Sequence, residues 1–518
     1  MPAGRPRLRR VSGLFRSHHP VRARPDLPQR VGPDVTAVVV GGGIAGVTAA
    51  LVLAERGVRV ELLEAAPHLG GRLGTWDRRL ADGSEVVVEH GYHGFFRQYY
   101  TLRDVLRRID PELGFLRDVG GYPVASRPSV GWEPEDFTAL PRTPLLNLVA
   151  LVLRSPSFKL RELRHVNADE ALAMLHYDPA RTYAEHDHRS AAELLDSLGF
   201  SDRGRAMLFE VFAHSFFNVE QRYSAAEFLA MCHFYFTGNP EGLGMDAPTE
   251  DYRTALWEPF TRLLEKHGAT VTTGARAVSL RPDGARGWAV DVESEPARHA
   301  RHLVVATDVP ATRDLVAASP ELVANAPGLA RRIAGLPGGE PYVVARLFCE
   351  GDVDPSRAVF TGVTRERVLD SVTLFHRLEG GSARWARERG GSVVELHSYA
   401  CPPGESVDDL VAAMREELVA LWPEAADLRV IDAEIHRYTN APGFDPGYHL
   451  VRPGVLTDAR GLRLAGDWVA CDVPSALMER AAVTAVTAAN DVLREEGVGP
   501  EPMRSIRPRG ILARRSRE

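Results

Sequence analysis

The sequence predicts an α/β protein built on a Rossmann-like domain, with a second α+β domain interleaved into it. Three consecutive segments carry this prediction. Residues 35–40 form a short apolar run that is typical of a buried parallel strand. Residues 41–46 (GGGIAG) form a glycine-rich turn that opens a helix rich in Ala, Val and Leu, with Gly57 as its C-cap. A second strand from Val58 to Glu64 completes a strand–turn–helix–strand unit.

The composition is that of a soluble globular protein. Of the 518 residues, 44% are hydrophobic and 25% are charged, and the formal net charge is -7. These values exclude a wholly disordered chain, a collagen-like repeat and a polytopic membrane protein. The length suggests about three domains, or two large ones.

Basic residues are concentrated at the two ends of the chain. Residues 1–34 contain eight arginines against two aspartates, and residues 501–518 contain six arginines against two glutamates. We expect disordered basic tails over 1–34 and 497–518, flanking an acidic body. Because nucleic-acid-binding domains carry their positive charge on a folded face, no nucleic-acid partner is expected, and the tails suit contact with an anionic surface.

Cysteine spacing and the N-terminal sequence indicate a cytosolic protein. The four cysteines are far apart and form no CxxC pair, so neither a metal site nor a disulfide framework is predicted. A twin arginine, Arg9-Arg10, suggests export, but an export signal needs an apolar segment next. Residues 16–30 are polar and rich in Arg and Pro, so export is rejected.

Apolar patterns predict the remaining elements. In order they are a strand over 85–91, a largely helical block over about 190–266, β structure from Gly268 to a buried strand at 302–310, strands over 340–350 and 392–400, a helix near 407–421 and a last helix from about Ser475 to Leu493. We assign the segments 35–125, 262–312 and 455–496 to a nucleotide-binding domain, and 126–261 and 313–454 to a substrate domain.

The glycine-rich turn has the spacing of a dinucleotide fingerprint. Gly41 permits the tight turn, Gly43 lets a pyrophosphate approach the backbone, and Gly46 lets helix and strand pack closely. The helix N-terminus offers unpaired N–H groups to phosphate oxygens. Glu64, at the end of the second strand, stands where a carboxylate binds the adenosine ribose.

Two later motifs favour FAD over NAD. Gly70-Gly71-Arg72 follows the second strand, and Gly466-Asp467 follows a late apolar strand just before a helix. Considered separately, Gly70-Gly71-Arg72 is typical of an ordinary turn, and Asp467 is typical of an ordinary helix N-cap. Together with the fingerprint they predict an extended cofactor, with Arg72 offsetting phosphate charge and Asp467 near the ribitol or pyrophosphate.

The order of these motifs resembles the FAD-dependent amine oxidase and phytoene desaturase superfamily. The residues that carry the resemblance are VVVGGGIAG, the glutamate, GGR, EVVVEHGYHGFF, VVATDVP and LAGDW, spread over about 35–495. Within that superfamily, EHGYHGFFRQYY, PRTPLLNLVALVLRSPSF, GGSVVELHSYA and SALMERAAVTA are most similar to the bacterial carotenoid φ-ring synthases (isorenieratene synthase, β-carotene desaturase/methylase). The resemblance implies a Rossmann-like FAD-binding domain of the glutathione-reductase type, and oxidation of a carotenoid.

The resemblance also implies site residues. Val278 matches the position whose backbone meets the adenine, and Gly91 and His93 match the Gly-x-His that lies against the isoalloxazine. Glu89 stands where desaturases usually show Asp. Arg480 replaces a usual glycine, which places its charge either near the flavin or in solvent.

The substrate class is argued from lysines. Amine oxidases of the superfamily usually place a lysine near flavin N5, on the strand represented here by residues 342–348, which contains none. The only lysines are Lys159 and Lys266. Amine oxidation therefore loses ground to carotenoid oxidation, with desaturation of an acyclic carotene or isoprenoid as the nearest alternative and a non-enzymatic isoprenoid-binding protein as another.

An unusual density of aromatic residues occurs over 209–236. Most of these rings are expected to pack in a core, while some line a tunnel for a polyene, where π faces stabilise a carbocation left by hydride removal. The tunnel candidates are Phe212, Phe216, Phe234 and Tyr235.

The expected chemistry is hydride abstraction, a 1,2-methyl shift and proton loss that lead to an aromatic end-ring. The base is expected to be His93 or Glu89, with His214 and His233 as weaker candidates. The electron acceptor is left open between a quinone and O2.

An apolar segment at Leu145–Leu153 is too short to span a bilayer. It fits a core helix and an entry helix on a membrane interface equally well. With the basic tails, it predicts a cytoplasmic protein that lies peripherally on the inner face of the membrane.

Overall fold

A computed structural model describes residues 17–142, 150, 153–155, 157, 166–173, 175–284, 287–402 and 404–513. Its strands are β1 His18–Val21, β2 Thr36–Val40, β3 Arg59–Glu64, β4 Thr75–Arg79, β5 Glu85–Glu89, β6 Phe95–Phe96, β7 Leu116–Asp118, β8 Val124–Ala125, β9 Met245–Pro248, β10 Thr270–Thr273, β11 Ala277–Pro282, β12 Trp288–Val292, β13 Glu295–Ala300, β14 His302–Val305, β15 Tyr342–Glu350, β16 Phe360–Val363, β17 Ser371–Leu374, β18 Gly391–Ser398, β19 Arg429–Tyr438, β20 Leu462–Leu464 and β21 Met503–Ser505.

The α-helices are α1 Ile44–Glu55, α2 Tyr100–Leu106, α3 Ala168–Ala173, α4 Pro179–His186, α5 Ala191–Leu198, α6 Asp202–Gly204, α7 Val211–His214, α8 Ala225–Cys232, α9 Glu258–Lys266, α10 Val309–Ala317, α11 Pro320–Asn325, α12 Pro327–Ala334, α13 Gly380–Arg389, α14 Val407–Leu421, α15 Tyr448–Val451 and α16 Leu477–Glu495. Short 3₁₀ turns cover Gly71–Leu73, Pro128–Val130, Phe137–Ala139, Phe375–Arg377 and Pro423–Asp427.

A five-stranded parallel sheet forms the centre of the half that contains the glycine-rich turn. Its strand order is β10-β3-β2-β14-β20, so strands from widely separated parts of the chain lie side by side. Helix α1 packs against β2, β3 and α16, and its residues Ile44 to Ala54 are all buried. This arrangement confirms the predicted α/β fold.

The other half is organised around a six-stranded sheet of order β19-β15-β18-β17-β16-β8. Its strands pair antiparallel except for β16 with β8. Central strand β15 is buried from Tyr342 to Cys349, with Arg346 as its only charged residue before Glu350.

Three π-helical segments adjoin α-helices of the helical block. They span Arg205–Glu210, His233–Thr237 and Arg253–Trp257, and each continues directly into or out of an α-helix. Such turns shift the helical register and often occur at functional sites.

The prediction of two disordered tails is wrong for residues 17–34 and 497–513. Strand β1 pairs antiparallel with β21, with His18 opposite Ser505 and Val21 opposite Met503. Met503 is buried, and Arg56 forms an ion pair of 3.0 Å with Glu501. The arginine-rich ends are ordered because their charged side chains form ion pairs and their few apolar residues pack against the body of the protein. Residues 1–16 and 514–518 lie outside the described residues.

The predicted apolar segment Leu145–Leu153 falls mostly outside the described residues, as does Lys159. Across the part of the chain that the structure describes, no helix is long and apolar enough to cross a membrane.

Candidate active site

One continuous cavity of about 920 Å³ joins the two halves of the molecule. At one end it is lined by the glycine-rich turn, Glu64 and Val278. In the middle it passes Arg72, Asp467 and the loop from His90 to Gly94. At the other end it is lined by aromatic and aliphatic side chains of the helical block and the second sheet. The cavity therefore brings the predicted nucleotide site and the predicted substrate site into one space.

The three fingerprint glycines meet different surroundings. Gly41 has φ +107°, and a Cβ there would stand 2.8 Å from the Ala306 carbonyl oxygen. A Cβ on Gly46 would stand 1.7 Å from the Gly41 carbonyl oxygen, so Gly46 is required for packing. A Cβ on Gly43 would have no protein atom nearer than 3.8 Å, which leaves room for a ligand beside the backbone.

Polar groups at this end suit a phosphate and a ribose. No side chain caps the N-terminus of α1, so its first N–H groups are available to an anion. The Glu64 carboxylate accepts from the Gly42 N–H at 2.6 Å and from the Ala66 N–H at 2.7 Å, which fixes it at the cavity wall.

Arg72 and Asp467 come together from distant parts of the chain. The Arg72 guanidinium donates to Asp467 Oδ1 at 2.7 Å, and both residues line the cavity. Burial opposes the charge of Arg72, but the Asp467 carboxylate outweighs it and raises the pKa of Arg72. Gly71 and Gly466 have φ of +55° and +149°, conformations that side chains rarely adopt. This donor set, the fingerprint cradle and the length of the cavity fit FAD.

His93 lies in the middle of the cavity wall. Its Nδ1 lies 2.9 Å from the Gly91 carbonyl oxygen, which places the proton on Nδ1 and a lone pair on Nε2. Burial lowers the pKa of His93 to about 4, so the ring is neutral. Nε2 has no hydrogen-bond partner among the described residues.

Glu89 was predicted as a candidate base beside the substrate, but its side chain lies outside the cavity. Its carboxyl accepts from the Tyr252 N–H at 3.0 Å and from Arg346 at 3.2 Å. Burial raises the pKa of Glu89 to about 8, although Arg346 works against this shift.

The Arg346 guanidinium also pairs with a second carboxylate, Glu395, which was not predicted from the sequence. Arg346 Nε donates to Glu395 at 2.8 Å, and the guanidinium lies 3.7 Å from the Phe375 ring centroid. Burial would raise the pKa of Glu395, but Arg346 and then His397 reverse the shift and lower it to about 2. At neutral pH Glu395 is therefore ionised and Glu89 is protonated.

Two further residues that were not predicted follow Glu395: His397 on the same face of β18 and Tyr399 directly after the strand ends. His397 Nε2 lies 2.7 Å from Glu395 Oε1, and His397 Nδ1 lies 3.1 Å from the Tyr399 hydroxyl. Both His397 and Tyr399 line the cavity. Their spacing at every second residue is the signal that sequence reasoning needed, because alternate residues of a strand share one face.

The aromatic end of the cavity contains most of the predicted substrate residues. Phe212, Phe216 and Tyr235 line it, whereas Phe234 is buried against Tyr99 and does not. Lining aromatic residues that were not predicted to face the cavity are Tyr92, Phe96, Tyr99, Tyr122, Phe137, Phe217, Phe236, Tyr342, Phe360 and Tyr399. The π-helical turn at His233–Thr237 helps to set which of these rings face the cavity, because such a turn shifts the helical register.

Arg480 lies neither in solvent nor at the cavity wall, so neither position expected for it is found. It is buried and pairs with Glu227 at 2.6 Å, while Arg452 approaches the same carboxylate at 3.3 Å. The weaker base candidates are also absent from the wall: His214 pairs with Asp370 at 2.9 Å, and His233 contacts the Arg507 carbonyl oxygen at 2.8 Å. The described residues contain no cluster of three or more ligating side chains for a metal ion.

Comparisons with known proteins agree with this geometry. The model of the family described as flavin-containing amine oxidoreductase matches residues 44–493. The carotenoid phi-ring synthase of Streptomyces griseus is 41% identical over 90% of this chain and 89% of its own length. The carotenoid phi-ring synthase of Chlorobaculum tepidum is 27% identical over 94% and 93%.

A solved structure shows the same fold at low identity. Cyclohexylamine oxidase from Brevibacterium oxydans superposes with a TM-score of 0.63 at 17% identity, covering 89% of this chain and 99% of that one.

Proposed function

Because the chain belongs to the flavin-containing amine oxidoreductase family, we propose that this flavin-dependent oxidoreductase uses FAD to convert the β-ring of a carotenoid into an aromatic ring. The observation that carries the proposal is the single cavity, which runs from a dinucleotide cradle to a chamber lined by aromatic rings. The 41% identity to a carotenoid phi-ring synthase supports the same substrate class.

FAD, rather than a shorter flavin nucleotide, is supported by the far end of the cavity. Glu64 and Val278 line the cavity together with the glycine-rich turn, and a carboxylate at the position of Glu64 is suited to the adenosine ribose of a dinucleotide. Glu64→Ala is therefore expected to weaken FAD binding about tenfold, through loss of its ribose contact, and to leave FMN binding unchanged. Titration of the deflavinated protein with each cofactor measures the difference. Equal weakening of both would argue against an adenosine at Glu64.

The residues that line the cavity support a carotenoid rather than an amine as the substrate. Strand β15 contributes Tyr342 and Val344 to the cavity, and its one buried cation, Arg346, is held by two carboxylates outside it. No lysine stands on this strand to serve an amine substrate. Aromatic rings provide an apolar surface whose faces stabilise positive charge.

The reaction removes four hydrogens from each ring, because a cyclohexene becomes a benzene. Two leave as hydride and two as protons. When bound, the flavin supplies a hydride acceptor and passes each electron pair to a quinone or O2. Hydride loss next to the carbon with two methyl groups leaves a cation, one methyl shifts to the cationic carbon, and proton loss forms a ring double bond.

Residues of this chain orient the ring and receive the proton. Phe217 has φ +59°, an unusual conformation for a side chain, and its ring lies 4.6 Å from Tyr342 and 5.6 Å from Tyr399. Such strain is often found at functional sites. These three rings give the cation an aromatic wall, and His93, whose Nε2 has no hydrogen-bond partner among the described residues, lines the same cavity.

Expression in a host that accumulates β-carotene tests the proposal. Extracted pigments are expected to contain aromatic end-rings, detected by chromatography and by a mass lower by four hydrogens per ring. Unchanged β-carotene beside a flavin-loaded protein would contradict the substrate. Turnover of lycopene precursors instead would support desaturation of an acyclic carotene.

Peripheral attachment to the cytoplasmic face of the membrane is proposed because carotenoids reside in lipid. Leu450 and Leu456 are 85% and 58% exposed and lie close together along the chain. Flotation with anionic vesicles is expected to retain the wild-type protein and to lose Leu450→Ser, while Val323→Ser serves as a control at another exposed apolar position. Equal flotation of the two variants would contradict a role for Leu450.

A further inference from the structure

Glu395, His397 and Tyr399 form a hydrogen-bonded chain that ends at the cavity wall. Glu395 is fully buried, His397 links it to Tyr399, and Tyr399 also contacts Ser371 Oγ at 3.0 Å. A Cβ on Gly91 would stand 3.6 Å from His397 Nε2, so the chain lies directly behind the loop from His90 to Gly94. Tyr399 contributes its ring to the aromatic wall, and its hydroxyl joins that wall to the buried carboxylate.

The hydrogen-bond directions in this chain are fixed by its buried end. Glu395 is an ionised acceptor, so His397 Nε2 carries a proton and donates to it. His397 Nδ1 is then an acceptor, and the Tyr399 hydroxyl donates to it. Ser371 donates to the Tyr399 oxygen, which keeps another lone pair. Each group is therefore arranged to pass a proton from the cavity towards Glu395.

A buried carboxylate lies next to His397, and among the described residues none lies next to His93. A buried imidazolium needs a counter-charge. His397 has the Glu395 carboxylate at 2.7 Å, whereas His93 has only a backbone carbonyl at 2.9 Å. The other charged groups nearby are Arg346 and Glu89 behind Glu395, and the His214–Asp370 pair, in which Asp370 accepts from the Tyr399 N–H at 2.6 Å.

We propose that Tyr399, His397 and Glu395 form the proton relay that deprotonates the ring cation, and that Tyr399 is the group that touches the substrate. This inference rests on the proposed function. The ring C–H bond breaks and its electron pair becomes the ring double bond, while its proton forms a new O–H bond on Tyr399. The original hydroxyl proton of Tyr399 moves to His397 Nδ1. The positive charge thus passes from the substrate to an imidazolium that Glu395 stabilises.

A neutral tyrosine is sufficient as the accepting group because its partner is a carbocation, which is strongly acidic. No oxidant beyond that of the hydride step is needed. Glu395 does not receive the proton and acts as a positioning residue, as the carboxylate does in a serine hydrolase triad.

Replacement of the relay members in the β-carotene-accumulating host tests the proposal. Tyr399→Phe and His397→Gln are each expected to lower the aromatic product about 100-fold, the usual range for loss of a general base. A cation that lacks its base loses a proton at another position, so non-aromatic, partly desaturated ring pigments should accumulate. Purified variants should keep the flavin content of the wild type.

Matched variants distinguish the relay from two alternatives, which are proton transfer to His93 and a purely structural role for Tyr399. Tyr177→Phe removes a buried hydroxyl outside the cavity and is expected to leave the pigments unchanged. His93→Gln is expected to reduce the aromatic product by less than Tyr399→Phe does. Wild-type yields of aromatic pigment from Tyr399→Phe would overturn the relay, as would loss of all products together with flavin, since that result indicates a structural role.

The relay and the proposed function fail in different ways. If the wild-type protein leaves β-carotene unchanged, the proposed function is overturned and the relay with it. If the wild-type protein forms aromatic rings and only His93→Gln stops at the non-aromatic pigment, the relay alone is overturned.

Discussion

Gly43 and Gly46 belong to one motif but have opposite structural constraints. A side chain at position 46 meets the Gly41 carbonyl oxygen at 1.7 Å, whereas position 43 has open space towards the cavity. Gly46→Ala is expected to prevent folding or to lower the melting temperature by about 5 °C or more. Gly43→Ala should fold normally and bind FAD at least about tenfold more weakly, since its methyl group occupies the cofactor's space. Melting curves and FAD titration distinguish the two, and a flavin-loaded Gly43→Ala would contradict a ligand at this cradle.

Glu89 and Glu395 share Arg346 but differ in protonation. Glu395→Gln removes an ionised partner and is expected to cost about 3 kcal/mol of unfolding free energy at pH 7. Glu89→Gln replaces a protonated carboxyl and should cost only about 1 kcal/mol. Denaturant unfolding at pH 7 measures both. Equal losses would contradict the assigned protonation states.

The pH dependence of these variants follows from the directions of the pKa shifts. The pKa of Glu89 is raised to about 8, so its contribution to stability is present at low pH and is lost as pH rises through 8. The pKa of Glu395 is lowered to about 2, so its contribution is present above about 4.5 and is lost as pH falls through 2. Glu89→Gln should flatten the stability profile between about pH 4.5 and 8, and Glu395→Gln should flatten it between about pH 2 and 4.5.

Among the elements, strands β1 and β21 make a testable contribution. Removal of residues 1–34 takes away β1 and the Val31 N–H that donates to the Arg56 carbonyl oxygen at 2.8 Å. It also exposes Met503, so the melting temperature should fall by about 5 °C. Removal of residues 1–16 leaves both contacts in place and serves as the control. Equal melting temperatures for the two truncations would show that the pairing contributes little.

Elements that depend on neighbouring residues were predictable, and those that depend on distant partners were not. The unit from Thr36 to Glu64 is set by local apolar runs and glycines, and α14 begins and ends at the predicted residues. Strand β1 was missed because its pairing with β21 joins opposite ends of the chain. Phe234 was predicted to line the cavity but does not, because the π-helical turn at His233–Thr237 sets which neighbouring rings face it.

Site residues divide in the same way. Six residues that line the cavity were predictable because each belongs to a recognisable sequence motif. They are Gly41, Gly43, Arg72, Gly91, His93 and Asp467. Arg480 and Glu89 required knowledge of their partners, Glu227 and Arg346, which no spacing reveals. Tyr399 and His397 were within reach, since their alternation with Glu395 is visible in the sequence, but a histidine and a tyrosine in a strand are usually structural.

At the scale of the whole molecule, the cavity predicts that cofactor and substrate binding can be separated. Val211 lines the cavity next to Phe212 in the helical block, whereas the glycine-rich turn belongs to the other half of the molecule. Val211→Trp should fill this part of the cavity, leave FAD content unchanged and lower carotenoid turnover at least about tenfold, because a rigid polyene cannot bend around the new ring. Val323→Trp, at an exposed position, is the control. Full turnover by Val211→Trp would place the polyene elsewhere.

The interleaving of the two halves constrains how the protein is made. Helix α1 is buried against α16, yet roughly 420 residues separate them in the chain. At ribosomal speeds of about 5–20 residues per second, α16 is synthesised about 20–80 s after α1. During that interval the apolar surface of α1 has no cover from its final partner, and the parallel sheet lacks β14 and β20. The cofactor site is therefore completed only when synthesis is nearly over, which makes flavin loading a late event and the nascent chain a client for chaperones.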